Sequence, residues 1–244
     1  MNELTGKHPL AMAVILMMIS FLTAGILTAV LASLGFDSGT AASISRLFMA
    51  VVLLFLFRRD FDFSRSLKGF VLALPALVFV VWNIAYHLCA GIAFRPLSEA
   101  GMILLTALAP GLFEEVLFRG VVTGKIQGAG KSQLYAVLAP ALLFGLIHLT
   151  NAPAIGPLSA LVQALYATVI GLLFGAVYVR TRDIVSPVIM HTLIDLSNDV
   201  FVSSPTTSTV PWLIAFAVII AAAAVYSVAL IIVRDVQKKQ AQAE

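Results

Sequence analysis

Eight apolar runs divide this chain, at residues 10–34, 41–57, 69–91, 100–123, 133–149, 158–179, 184–202 and 210–233. Each has the roughly 17–25 residues that a helix needs to cross about 30 Å of hydrocarbon. The runs are continuous and lack the period-2 alternation of barrel strands, so they predict helices. The first run exceeds the 7–15-residue apolar core of a secretory leader and is read as a retained span. Only 11% of the 244 residues are charged and 61% are hydrophobic, whereas a soluble domain carries about 25% charged residues. That composition excludes a cytosolic enzyme, a disordered chain and a fibrous repeat. It predicts an all-α integral membrane protein, a bundle of about eight transmembrane helices, with a single membrane domain over residues 1–244. Cys89 is the one cysteine, so no intrachain disulfide can form.

The basic residues give the orientation. Lys7, Arg58, Arg59, Arg65, Lys68, Lys125, Lys131, Arg180, Arg182, Arg234, Lys238 and Lys239 all fall on one side of an eight-span arrangement. By the positive-inside bias, both termini are expected in the cytoplasm of a multi-pass protein of the cell membrane. The sequence pI near 9.2 then reflects topology and contact with the lipid bilayer, and no nucleic-acid partner is expected. Arg95 lies in an opposite loop. Arg46, near the outer end of the second run, is expected to snorkel to the headgroups.

Ionisable groups inside a bilayer are costly and usually face a bundle interior or a wet cavity. Here they concentrate in the fourth and seventh runs, with a histidine ending the fifth. The fourth contains Pro110-Gly111-Leu112-Phe113-Glu114-Glu115, then Arg119 four residues on. Glu115 and Arg119 can meet on one helical face. Glu114 points about 100° away and has no partner within its own run. Pro110 should bend the helix and open room for water. A structural salt-bridge cluster of all three charges is the bland alternative.

The fifth run ends with Phe144 one turn before His148, where the two rings can pack. In the seventh, His191 and Asp195 are neighbours at i and i+4, so the carboxylate can orient the ring or the pair can tie helices together. At about 1.5 Å per residue, Glu114 lies roughly 14 Å from the cytoplasmic end of its run, His191 roughly 11 Å and Asp195 roughly 17 Å. His148 comes out near 22 Å, more than a turn too far outward. A tilt, or a bend at Pro140, would close the gap. Gly171 and Gly175 form a GxxxG that permits close helix packing.

Taken in order, Glu114-Glu115-x-x-x-Arg119, Phe144-x-x-x-His148 and His191-x-x-x-Asp195 resemble the motifs of the CPBP (Abi) family, the CAAX-processing and bacteriocin-processing intramembrane endopeptidases. The resemblance covers about residues 98–200, the family-like catalytic core, and extends to the type II CAAX prenyl endopeptidases in span count. It implies an intramembrane endopeptidase acting on a membrane-associated peptide or a prenylated protein tail. Glu114 would activate the attacking water and His148 would help to hold it. His191 and the residue one turn later would face the oxyanion, with Glu115, Arg119 and Phe144 in support.

CAAX-cleaving members usually carry Asn where this chain has Asp195. An ionised Asp cannot donate to an oxyanion. Asp195 would instead orient His191, or join His148 and His191 in a zinc set with a position left for water. No HExxH accompanies these residues, so the resemblance is compatible with one divalent metal or with none. The site is expected between the fourth, fifth and seventh spans, open toward the cytoplasmic half. Two other classes fit the polar pattern: a non-catalytic membrane binding or bacteriocin-immunity protein, and a small proton-coupled transporter. Against the transporter, no paired repeat of broken helices is visible.

Overall fold

The computed structural model describes residues 8–58, 67–204 and 210–241, with side chains as far as Val233. Of the basic residues that set the expected orientation, Lys7, Arg59, Arg65 and the side chains of Arg234, Lys238 and Lys239 lie outside the described residues. The helices are α1 (Pro9–Ser33), α2 (Ser38–Leu56), α3 (Leu67–Ala73), α4 (Leu77–Cys89), α5 (Ala100–Glu115), α6 (Gly124–Gly128), α7 (Gln133–Ile147), α8 (Ala152–Ile155), α9 (Pro157–Thr181), α10 (Val185–Asp199) and α11 (Val210–Ala241). Short 3₁₀ turns precede α4, α5 and α8, and a π-helical stretch, Val116–Thr123, joins α5 to α6.

Sequence signals mark the helix starts. Proline occupies the first turn of α1 and α9, where its missing N–H would have had no intrahelical partner. The Asp37 carboxylate accepts from the Thr40 N–H at 2.9 Å to cap α2, and Ser132 caps α7 through the Tyr135 N–H. These caps satisfy donors that a helix leaves free.

Seven helical segments are long and apolar enough to cross a membrane: Pro9–Ser33, Ser38–Leu56, Leu67–Cys89, Leu97–Gly128, Gln133–Ile155, Pro157–Thr181 and Val210–Val233. The expected seventh run, 184–202, instead gives α10, a helix of 15 residues. At 1.5 Å per residue it is roughly 22 Å long, shorter than the hydrocarbon layer. Its polar residues face neighbouring helices, and it packs chiefly on α5 and α4. Beyond it, the Arg95 N–H donates to the Val200 carbonyl (2.8 Å) and the Val202 N–H to the Ala93 carbonyl (3.1 Å), fastening the loop before α5 to the end of α10.

The bundle core forms around α9, which packs on α7 and α11 and buries Leu173, Phe174, Ala176 and Val177 completely. Outward-facing Leu22, Ile26 and Val225 remain more than half exposed; in a bilayer these side chains meet lipid. The GxxxG does bring helices together. A Cβ on Gly171 would lie 3.1 Å from the Ala141 Cα, and one on Gly175 would lie 2.9 Å from a Val137 methyl. Small residues at such a crossing let α9 and α7 pack backbone to backbone.

The depth counted for Glu114 changes with the length of the fourth element. That helix does not end at Thr123 but widens into the π-helical stretch and continues to Gly128. Measured from Gly128, Glu114 sits roughly 21 Å deep, level with the roughly 22 Å of His148 above Gln133.

Candidate active site

Gly111 determines how closely the two acidic positions approach α10. A Cβ there would stand 2.6 Å from the Thr192 Oγ1 and 3.2 Å from the Thr192 backbone nitrogen, distances that real Cβ atoms do not occupy without displacement. With hydrogen in that place, α5 and α10 touch one turn before Glu114-Glu115 and beside His191. The acidic pair and the imidazole therefore become neighbours across two helices.

Glu114 and Glu115 are both buried, 7% and 0% exposed, yet they have different surroundings. Glu115 Oε1 lies 2.9 Å from Arg119 Nη1 and also 2.9 Å from His191 Nδ1. One oxygen thus serves two partners. Since a carboxylate only accepts, His191 Nδ1 carries the proton and donates. Arg119 Nη1 meets the same oxygen as an ion pair, outside directed hydrogen-bond geometry, and Nη2 has no hydrogen-bond partner among the described residues. Aromatic faces cover the guanidinium instead: its Cζ stands 4.7 Å from the Phe144 ring centre and 5.6 Å from that of Phe174. Such cation–π contact is strongest where water is excluded.

His191 Nε2 points the other way, 3.9 Å from Glu114 Oε2 and 3.6 Å from Asp195 Oδ2. Both distances exceed a hydrogen bond. The i,i+4 reading of His191 and Asp195 placed the two correctly, but the carboxylate that orients the ring is Glu115, on a different helix. His148 opens the turn that follows α7, and its Nδ1 donates to the Phe144 carbonyl at 2.7 Å, leaving Nε2 as the free ring nitrogen. Phe144 packs edge-on against His148 (4.9 Å) and His191 (5.9 Å). One phenyl ring therefore spaces both imidazoles and roofs Arg119.

Glu114, His148, His191 and Asp195 line a single cavity of about 240 Å³ together with Arg46, Thr106, Tyr166 and Asp199. Glu115, Phe118 and Arg119 are buried outside the lining of this cavity. Of its half-buried members, Thr106, Asn151, Gln163 and Asp199 lie toward the Leu97 and Gly156 end of the bundle, and Arg46, Pro110, His148, Tyr166 and Asp195 are half-buried as well. Asn151 donates to Gln163 at 2.9 Å and Thr106 to Asp199 at 2.9 Å, so the rim is polar and internally bonded.

Arg46 departs from expectation as well. It is half-buried, faces this cavity, and has no ion-pair or hydrogen-bond partner among the described residues. Its depth in the second run suggested the headgroups, and the direction of its side chain depends on a tertiary neighbour that the run does not encode. Tyr166 and Gln163, from α9, were also missed, because a lone tyrosine and glutamine in an apolar run carry no distinctive signal.

The expected zinc set of His148, His191 and Asp195 shares the cavity but does not assemble as ligands. No three His, Cys, Asp or Glu side chains among the described residues are placed to hold a metal. What the arrangement offers is a carboxylate 3.9 Å from one imidazole nitrogen, with a second imidazole lining the same small polar space, a setting in which water can be deprotonated.

Residues 96–197 match the family model described as type II CAAX prenyl endopeptidase Rce1-like. No curated protein and no solved structure matches the chain. The matched segment runs from just before α5 to near the end of α10, and so includes all three motifs.

Proposed function

From the match of residues 96–197 to the type II CAAX prenyl endopeptidase family model, we propose that the protein hydrolyses a peptide bond in a membrane-associated peptide or protein tail at the Glu114 cavity. The observation that carries this reading is the division of labour between adjacent carboxylates. Glu115 is occupied by Arg119 and His191, while Glu114 lines the cavity with His191 Nε2 at 3.9 Å.

In the proposed reaction Glu114 takes a proton from water as the oxygen attacks the scissile carbonyl carbon. The resulting tetrahedral oxyanion needs a donor, which ionised Asp195 cannot provide. The cavity's own donors are Arg46, the Tyr166 hydroxyl and, when doubly protonated, His191. Glu114 then returns its proton to the leaving nitrogen, the C–N bond breaks, and a carboxylate and an amine are released. His148 Nε2 accepts from the attacking water and helps hold it in line. Asp195 balances charge on the Nε2 side of His191.

The test uses purified protein in liposomes with a panel of membrane-anchored peptides. Wild type should release fragments, and Glu114→Gln should lower the rate by about 10²–10⁴, the usual contribution of a general base, with unchanged membrane insertion. Full cleavage by Glu114→Gln would remove the mechanism.

A further inference from the structure

Attack on a peptide carbonyl sends the C=O π pair onto oxygen, and in the Glu114 cavity that charge forms beside two more carboxylates, Asp195 and Asp199. A cationic donor stabilises an anion in such a place better than a neutral one. Most of the lining has already committed its protons. Thr106 spends its single hydroxyl hydrogen within the protein. The Nδ1–H of His148 goes to the Phe144 carbonyl and that of His191 to Glu115, while His191 Nε2 stands near the carboxylates of Glu114 and Asp195. Asn151 is bonded to Gln163, and these two amides and the Tyr166 hydroxyl are neutral. Among the described residues, Arg46 is the one permanently charged cation that lines the cavity.

The packing of α2 on α5 sets the height of Arg46. Thr40 Oγ1 meets the Met102 sulfur at 3.5 Å, and a Cβ on Gly39 would lie 3.9 Å from Thr106 Cγ2. The two helices therefore start together and run in the same direction, and α2 goes on to touch the π-helical stretch after α5. Arg46 is six or seven residues further along α2, so its backbone is level with about residues 108–113, within roughly 9 Å of the height of Glu114. Its charge acts on the Asp195 carboxylate, yet no ion pair or hydrogen bond among the described residues fixes the guanidinium.

We infer that Arg46 is the oxyanion donor of this site, a catalytic residue supplied by α2 from outside the segment that matches the family model. The assignment rests on the hydrolysis proposed above. As water attacks, its proton passes to Glu114 and the carbonyl π pair to oxygen, so one negative charge moves from the carboxylate to the substrate and the net charge of the cavity is unchanged. Arg46 donates an N–H to that oxygen and keeps its proton. When the tetrahedral carbon collapses, the pair returns to the C=O bond, the C–N bond breaks, and Arg46 is left facing Asp195 again.

The test measures binding of two probes to the full chain in detergent: a phosphinate peptide, whose tetrahedral phosphorus carries one negative oxygen, and its parent amide peptide. Wild type should prefer the phosphinate by about 10²-fold or more, as enzymes do for such analogues. Arg46→Gln should lose at least tenfold of that preference and lower kcat by about 10²-fold, with KM little changed. Arg46→Lys should keep part of both, and Tyr166→Phe should keep most. The decisive comparison is made in an Asp195→Asn background, where the new amide can itself donate: there Arg46→Gln should cost less than about threefold. Equal losses in the two backgrounds, a preference unchanged in Arg46→Gln, or no preference in wild type would overturn the assignment. If the preference depends on Arg46 but wild type cleaves no membrane-anchored peptide, the proposed hydrolysis fails while the anion site stands. If wild type cleaves and Arg46→Gln cleaves equally fast, the role of Arg46 fails alone.

Discussion

The Nδ1 of His191 lies 2.9 Å from Oε1 of Glu115, so the ring that faces the cavity is aimed by a carboxylate on another helix, 76 residues away in sequence. The same oxygen neutralises Arg119. Orientation of the imidazole and charge balance at the floor of the bundle therefore depend on one atom.

Glu115→Ala should unfold more readily than wild type, by about 3–5 kcal/mol, because it leaves the buried Arg119 uncompensated. Glu114→Ala, which frees no buried cation, should change stability by far less. Denaturant titration of both variants in the same detergent checks the contrast. Equal stability losses would mean that the two glutamates share one structural role.

Gly111→Ala should impair cleavage at least tenfold by displacing Thr192 and with it His191, since a misplacement of about 1 Å at such a site can cost 10²-fold. The double variant Gly111→Ala with Thr192→Ala should recover part of the rate, because the hydroxyl nearest the added methyl is gone. Initial rates of the two variants provide the comparison, and an identical rate in both would place the clash elsewhere.

Arg46→Gln should leave folding within about 0.5 kcal/mol of wild type, as expected for a side chain without a fixed partner, while lowering kcat/KM tenfold or more through loss of a cationic donor beside Asp195. Arg46→Lys should restore part of the rate. A large stability loss with unchanged kinetics would assign Arg46 to balancing Asp195 and Asp199 instead.

Cleavage should persist after dialysis against a chelator, because the two histidines and Asp195 do not assemble as ligands. Rates before and after chelation, with zinc added back, decide the matter. A loss restored by zinc would mean that the histidines rearrange on binding.

What could be read from residues alone was whatever depends on spacing along one helix. The apolar runs predict the helices, four-residue spacing predicts the Glu115–Arg119 contact, and GxxxG predicts the α9–α7 approach. Contacts between helices were not legible. Nothing in His191-x-x-x-Asp195 signals that Glu115 holds the ring, and nothing near Arg46 signals a cavity. Length failed in two places for one reason. The π-helical stretch carries the fourth helix past Thr123, and α10 stops short because its polar residues are sheltered by neighbours. An apolar run records what lipid or core tolerates, and helix ends buried inside a bundle leave no mark on it.

The shortness of α10 bears on what the proposed enzyme could digest. Glu114 lines a small polar cavity with Thr106 and Asp199, so in the proposed reaction the reactive amide must come to that cavity. A segment still coiled through the bilayer keeps every peptide group paired internally and offers no carbonyl to attack. Susceptible chains must be frayed or extended where they reach the mouth, which favours loose ends and helix-breaking stretches over intact membrane anchors.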